Sequence, residues 1–86
     1  MYRKTIIVQN KTGLHARPAS MLTQFCKKFS EEIRFVVNNN SINPKSIIAL
    51  LSGGLKKGTE FEIQVTGENE EAVCLEVAAF IENLNE

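Results

Sequence analysis

The chain has 86 residues, with ten Lys and Arg against ten Glu, 43% hydrophobic residues and no tryptophan. This length predicts one small domain over residues 1–86 with a single core. No apolar run approaches the roughly 20 residues of a membrane span. The start of the chain lacks the apolar segment of a signal peptide, so we expect a cytoplasmic protein. Its basic residues lack aromatic interleaving, which argues against nucleic-acid binding.

Charge is distributed unevenly along the chain. All ten Lys and Arg lie within residues 1–57 together with only two glutamates, and the other eight glutamates follow. We therefore expect an acidic partner to dock on the basic part, which contains His15 and Arg17. The alternative is a well-mixed surface, because sequence halves need not be spatial halves.

The first part of the chain predicts a strand, a helix and a second strand. Tyr2–Val8 is rich in Thr, Ile and Val, as strands are. Apolar residues recur on one face of Pro18–Phe29, which is typical of an amphipathic helix. Ile33, Phe35 and Val37 alternate with their neighbours, which predicts a strand with one buried face.

The middle of the chain predicts a hairpin and a short helix. The run Asn38–Asn40 is typical of a tight turn, because Asn tolerates positive φ. Ser41–Asn43 is predicted to return as a short strand. Ser46–Ser52 predicts a helix, with Ser46 as its N-cap and the glycines from Gly53 onward as its stop.

The last part predicts a strand over Thr59–Thr66 and a helix over Glu68–Leu84. The resulting order, β-α-β-β-α-β-α, indicates an α+β fold with an antiparallel sheet and its helices on one face. The predicted core consists mainly of Ile6, Val8, Leu22, Cys26, Phe29, Ile33, Phe35, Phe61, Ile63, Val65, Val73, Val77 and Phe80.

The cysteines and glycines form no motif that is typical of a metal or nucleotide site. Cys26 and Cys74 occupy apolar positions of predicted helices, so we expect buried free thiols; a disulfide is the alternative. One histidine and no Cys-x-x-Cys motif predict no metal site. Residues 53–59 contain glycines and lysines but not in the order of a phosphate-binding loop, so we expect no nucleotide or other cofactor.

The only histidine lies in the segment Gly13–Pro18, which reads GLHARP, at the predicted start of the first helix. Helix starts expose unpaired N–H groups and the positive end of the macrodipole, so the amides of Ala16 and Arg17 are suited to a phosphoryl group. The dipole favours a neutral His15 ring that can attack as a nucleophile. Arg17 can add a charge-assisted contact. The alternative is a surface histidine that caps the helix, with a solvated arginine beside it.

Three segments carry a resemblance to a known family. Residues 13–19 (GLHARPA), 43–47 (NPKSI) and the glycine-containing turn at 52–58 resemble HPr, the histidine-containing phosphocarrier family of the bacterial sugar phosphotransferase system. The resemblance extends over nearly the whole chain. It implies an open-faced β-sandwich in which three helices cover one face of a four-stranded antiparallel sheet.

The resemblance also implies a function and its residues. His15 would accept a phosphoryl group at Nδ1 from phosphorylated enzyme I and pass it to the A domains of sugar permeases. Arg17 would compensate the charge of the phosphoryl oxygens, and the amides of Ala16 and Arg17 would bind them. Such a protein is a carrier rather than an independent enzyme, and we expect a monomer.

Ser46 has two interpretations. It can simply cap the predicted short helix. By the family resemblance, it can also be phosphorylated by a kinase/phosphorylase and control contact with a transcriptional regulator. The alternative function is therefore a purely regulatory HPr-like protein in which Ser46 acts and His15 is vestigial.

The apolar short helix predicts a docking patch beside His15, with complete burial as the alternative. The resemblance implies that this helix and the first one meet the partners. The predicted docking residues are Ser20, Gln24, Lys27, Ile47, Ile48 and Leu51. Pro44, Ile48, Ala49 and Leu51 depart from residues common in the Gram-positive branch of the family, which leaves partner preference open.

Overall fold

A computed structural model describes residues 1–84 and contains four strands and three helices in the predicted order. The elements are β1 (Tyr2–Ile7), α1 (Ala16–Cys26), β2 (Glu32–Val37), β3 (Asn40–Ile42), α2 (Ile47–Ser52), β4 (Glu60–Thr66) and α3 (Glu70–Glu82). The strands form one antiparallel sheet in the order β1-β4-β2-β3. Among the described residues, no helix combines the length and apolar character needed to cross a membrane.

The sheet has one buried and one polar face, because successive side chains of a strand point to opposite sides. On the buried face, Ile63 of the central strand β4 lies opposite Phe35 of β2, and both are fully buried. On the other face, Gln64 lies opposite Arg3 of β1 and Arg34 of β2. The three helices belong to the buried side, as the sequence predicts.

The predicted core is confirmed except for two aromatic rings. Phe29 and Phe80 are half-buried, because they border Phe25 at the rim where α1 meets α3. Phe25 stacks on Phe80 with ring centroids 4.4 Å apart and meets Phe29 edge-on at 5.4 Å. The predicted core omitted three buried leucines outside the sheet and the long helices, namely Leu14, Leu50 and Leu55.

The first helix differs from its prediction at both ends. It begins at Ala16 rather than Pro18 and ends at Cys26 rather than Phe29. The reason for the early end is a change in hydrogen bonding: Lys27 N–H still donates to the carbonyl four residues back, whereas Phe29 N–H donates to Cys26 O, only three back. Such tightening is common in the last turn of a helix.

The hairpin is shorter than predicted. Asn38 and Asn39 have φ values of 49° and 69°, and Asn40 already pairs with Val37. A two-residue turn with positive φ at both central positions matches the twist of the flanking strands. The strand β3 therefore occupies Asn40–Ile42 rather than positions 41–43.

The remaining boundaries move by one or two residues. Strand β1 ends one residue before the prediction, and β4 begins one residue after it. Helix α3 begins at Glu70, with Asn69 at its N-cap position, and it ends at Glu82, with Asn83 at its C-cap position. None of these shifts changes which face of an element is buried.

Gly13 allows two loops to touch. Its φ is +68°, and a Cβ at this position would lie 2.7 Å from both Leu55 O and Lys56 Cα. The next amide, Leu14 N–H, donates to Leu55 O at 2.7 Å. Asn10 Nδ2 closes the turn by donating to Gly13 O at 2.6 Å. The loop that leads to α1 is therefore pressed against the segment that follows α2.

We expect Gly13→Ala to lower the free energy of unfolding by about 2–4 kcal/mol, because a left-handed conformation and a backbone clash both oppose the new methyl group. Gly54→Ala is the matched control. Gly54 has a φ of +72°, but no atom lies within 4 Å of its added Cβ, so this change should cost only about 1 kcal/mol. Urea unfolding of both variants measures the difference, and equal losses would contradict the close approach at Gly13.

Candidate functional site

His15 lies at the N-cap of α1, where its backbone is extended, with φ −134° and ψ 155°. The side chain is exposed and makes no capping hydrogen bond. A capping side chain normally accepts a hydrogen bond from an amide of the first helical turn. Because the imidazole does not do so here, it does not occupy the amides at the start of α1.

Ala16, the first residue of α1, has an unusual backbone conformation. Its φ is 50°, in the left-handed region that residues with a Cβ avoid at a cost of about 1–2 kcal/mol. The chain therefore turns sharply directly after His15. Such strain is often concentrated at functional sites. The sequence did not predict it, because alanine carries no signal for positive φ.

The residues on either side hold this turn in place. Leu14 is 1% exposed and Ala19 is fully buried, and Pro18 is buried as well. Between these anchors the segment His15–Arg17 is exposed throughout. A partner can therefore reach the imidazole and the guanidinium from solvent while the flanking side chains fix the backbone that carries them.

A depression of about 170 Å³ adjoins His15. Its walls come from the loop before α1, from α2 and from the segment after α2. The lining residues are Thr12, Leu14, His15, Leu51, Gly54, Leu55 and Lys56. The structure thus brings His15 beside α2, as the resemblance implies. It also brings Lys56 to the site, which the sequence analysis did not predict.

The predicted patch on α2 is smaller than expected. Ile48 is 75% exposed and Leu51 is 41% exposed, so complete burial of the helix is wrong. Ile47 is half-buried against the core, which corrects its prediction as an exposed residue. The reason is helical spacing: Ile47 lies three residues before the fully buried Leu50 and shares its inward face. Ser20 and Gln24 of α1 and Lys27, the C-cap residue after it, are exposed.

Ser46 is the N-cap of α2, as the sequence predicts. Its Oγ accepts a hydrogen bond from Ala49 N–H at 3.3 Å, and the residue is half-buried. Its own amide donates to Asn43 O at 3.0 Å, and Pro44 between them is buried. The backbone before Ser46 is therefore a fixed turn.

Lys45 anchors this turn to a distant part of the chain. Its Nζ donates to Phe29 O at 2.6 Å and to Glu31 O at 2.9 Å, in the connection between α1 and β2. The Glu31 carboxylate in turn accepts a hydrogen bond from Asn69 N–H at 3.2 Å, at the start of α3. Neither contact is predictable from the sequence, because backbone partners far away in the chain leave no local pattern.

The two cysteines take no part in the site. Cys26 and Cys74 are free and fully buried, so the disulfide alternative is wrong. Burial raises the pKa of the Cys26 thiol to about 12, against a smaller lowering by Lys45, and burial also raises the pKa of Cys74. Both thiols therefore stay protonated at neutral pH and are unsuited to nucleophilic attack.

Residues 2–83 match the family model described as the PTS HPr component phosphorylation site. The chain belongs to the HPr family. Its members are phosphocarriers of the phosphotransferase system, so this general role applies to the chain.

Individual HPr proteins support the family assignment. Phosphocarrier protein HPr of Mycoplasma capricolum subsp. capricolum is 41% identical over 69 residues, which are 80% of this chain and 78% of that relative. The crystal structure of HPr-C-His from Thermoanaerobacter tengcongensis is 38% identical, with a TM-score of 0.91 and coverage of 95% and 92% of the two chains. A structure described as an HPr dimer from that organism is also 38% identical, with a TM-score of 0.73 and coverage of 95% and 94%. The predicted open-faced sandwich is thereby confirmed.

Proposed function

We propose that this chain carries a phosphoryl group on His15 from phosphorylated enzyme I to the A domains of sugar permeases. The observation that supports it most directly is the exposed imidazole at the N-cap of α1, which leaves the first amides of the helix unused by its own side chain. The match of the family model over residues 2–83 supports treating 1–86 as one HPr domain. Such a relay operates in the cytoplasm.

The proposed transfer takes place between two histidines. The N–P bond on the donor breaks as a new N–P bond forms at Nδ1 of His15, so donor and acceptor have similar energies. The protein then has to position and stabilise the group rather than drive the reaction. The amides of Ala16 and Arg17 would bind the phosphoryl oxygens, and the Arg17 guanidinium would compensate their charge. No cofactor is required for this step.

The proposed docking surface surrounds His15. Its apolar centre is Ile48 and Leu51 of α2, and its polar part is Ser20 and Gln24 of α1 with the C-cap residue Lys27. Exposed apolar residues beside positive charge suit a partner with an apolar contact and an acidic rim. One copy of the chain contains the whole surface, so we propose that it acts as a monomer.

Regulation at Ser46 is part of the proposal. A kinase/phosphorylase would modify the Oγ, which sits at the start of α2 beside the exposed Ile48. A phosphate there adds about two negative charges at the edge of the docking surface. It would weaken contact with an acidic partner and would favour a basic one, such as a transcriptional regulator.

We expect His15→Ala to abolish phosphoryl acceptance while changing the free energy of unfolding by less than about 0.5 kcal/mol, because an exposed side chain without a capping bond is removed. The measurement is transfer of label from phosphoenolpyruvate through enzyme I, with urea unfolding as the control. Label on another residue of the variant would contradict the assignment. A wild-type chain that takes no label would instead support the purely regulatory alternative.

We expect Ile48→Ser to raise the KM of enzyme I for this chain about 5- to 30-fold with little change in kcat. The reason is that the lost apolar contact contributes about 1–2 kcal/mol to docking. Leu75→Ser is the matched control: Leu75 is 42% exposed but lies on α3, away from the depression at His15. Steady-state kinetics of both variants give the comparison. Equal effects on KM would remove α2 from the proposed docking surface.

We expect ATP and an HPr kinase/phosphorylase to place one phosphoryl group on the wild-type chain and none on Ser46→Ala, because Ser46 would be the acceptor. Ser52→Ala is the control, since Ser52 is exposed at the other end of α2. Intact mass after incubation measures the modification. An unmodified wild-type chain, or loss of modification in Ser52→Ala, would count against regulation at Ser46.

A further inference from the structure

Lys56 is fixed close to His15 by its backbone. The preceding carbonyl, Leu55 O, accepts the Leu14 amide at 2.7 Å, and the Lys56 Cα lies against the bare face of Gly13. Lys56 N–H donates to Gly54 O at 3.0 Å. The lysine side chain therefore starts from a set position on the loop after α2, and it lines the same depression as His15.

The ammonium group of Lys56 contributes no ion pair or hydrogen bond to the described part of the fold. Within residues 1–84 its ammonium group has no ion pair and no hydrogen bond, and the residue is exposed. This differs from Lys45, whose Nζ is held by two carbonyls. Lys56 can therefore turn toward an anion in the depression without losing an existing contact.

The surroundings of the depression strengthen such a contact. Leu14 and Leu55, which are 1% and 4% exposed, and the partly exposed Leu51 contribute apolar walls. Charges next to apolar walls attract each other more strongly than charges in bulk water. Lys56 is thus the cation of this depression, whereas Arg17 lies on α1 outside its lining.

We propose that the Lys56 ammonium contacts the phosphoryl group carried by His15 and so belongs to the transfer site. This inference rests on the proposed function. The bonds that change are those of the proposed transfer: the donor N–P bond breaks and the His15 N–P bond forms. Lys56 takes up no proton. Its contribution is to stabilise the phosphorylated chain, from the loop after α2 rather than from α1.

The equilibrium of phosphoryl exchange with enzyme I separates this role from docking. The equilibrium constant depends on how stable the phosphorylated chain is and not on how the two proteins meet, whereas a docking residue changes KM. We expect Lys56→Gln to lower the equilibrium constant about 3- to 10-fold, because one charge-assisted hydrogen bond is lost. Lys56→Arg should keep the equilibrium constant close to that of the wild type, because arginine has the same charge.

Lys57→Gln is the matched control, because Lys57 is the exposed neighbour with the same charge but does not line the depression. Its equilibrium constant should equal that of the wild type. A fall in both glutamine variants would show a general charge effect and overturn the proposal. So would a change of KM in Lys56→Gln without a change of the equilibrium constant, or no change at all.

Failure of the inference and failure of the proposed function are distinguishable. If the wild-type chain is labelled on His15 but Lys56→Gln matches it in the equilibrium constant, only the role of Lys56 is lost. If the wild-type chain takes no label, the phosphocarrier step at His15 is lost as well. Urea unfolding of each lysine variant checks that the fold is retained.

Discussion

The contact between the loop before α1 and the segment after α2 determines the geometry of the site. It consists of the 2.7 Å hydrogen bond from Leu14 N–H to Leu55 O and of the close approach that a side chain at Gly13 would block. Because Leu14 and Leu55 are both buried, the two loops are also held by the core. His15 follows directly and is placed at the edge of α2 with its ring in solvent.

The position of α2 depends on a second set of contacts. Lys45 bonds the turn before α2 to the segment between α1 and β2. In that segment, Glu31 is bonded in turn to the start of α3. Two charged side chains thereby tie three helix ends through backbone groups. Hydrogen bonds to charged groups contribute more than neutral ones, so this arrangement can keep a six-residue helix in place.

A carrier must hold its group firmly enough to accept it and loosely enough to release it. The exposed segment from His15 to Arg17 and the strained backbone of Ala16 fit this requirement, because they present the imidazole without enclosing it. The two cysteines do not compete with His15 as nucleophiles, since their burial keeps the thiols protonated. The proposed chemistry therefore involves a small surface between the start of α1 and the end of α2.

The sequence by itself determined the order of elements, the buried face of each strand, the N-cap position of Ser46 and the place of His15 near the start of the first helix, because these follow from local periodicity and local hydrogen bonding. The motif around His15 also indicated the family. Only the tertiary structure decided that Ile47 points inward, that Ala16 has positive φ, that Lys45 anchors the turn before Ser46 and that Lys56 shares a depression with His15. Each of these depends on contacts between segments far apart in the chain, and such contacts leave no pattern in neighbouring residues.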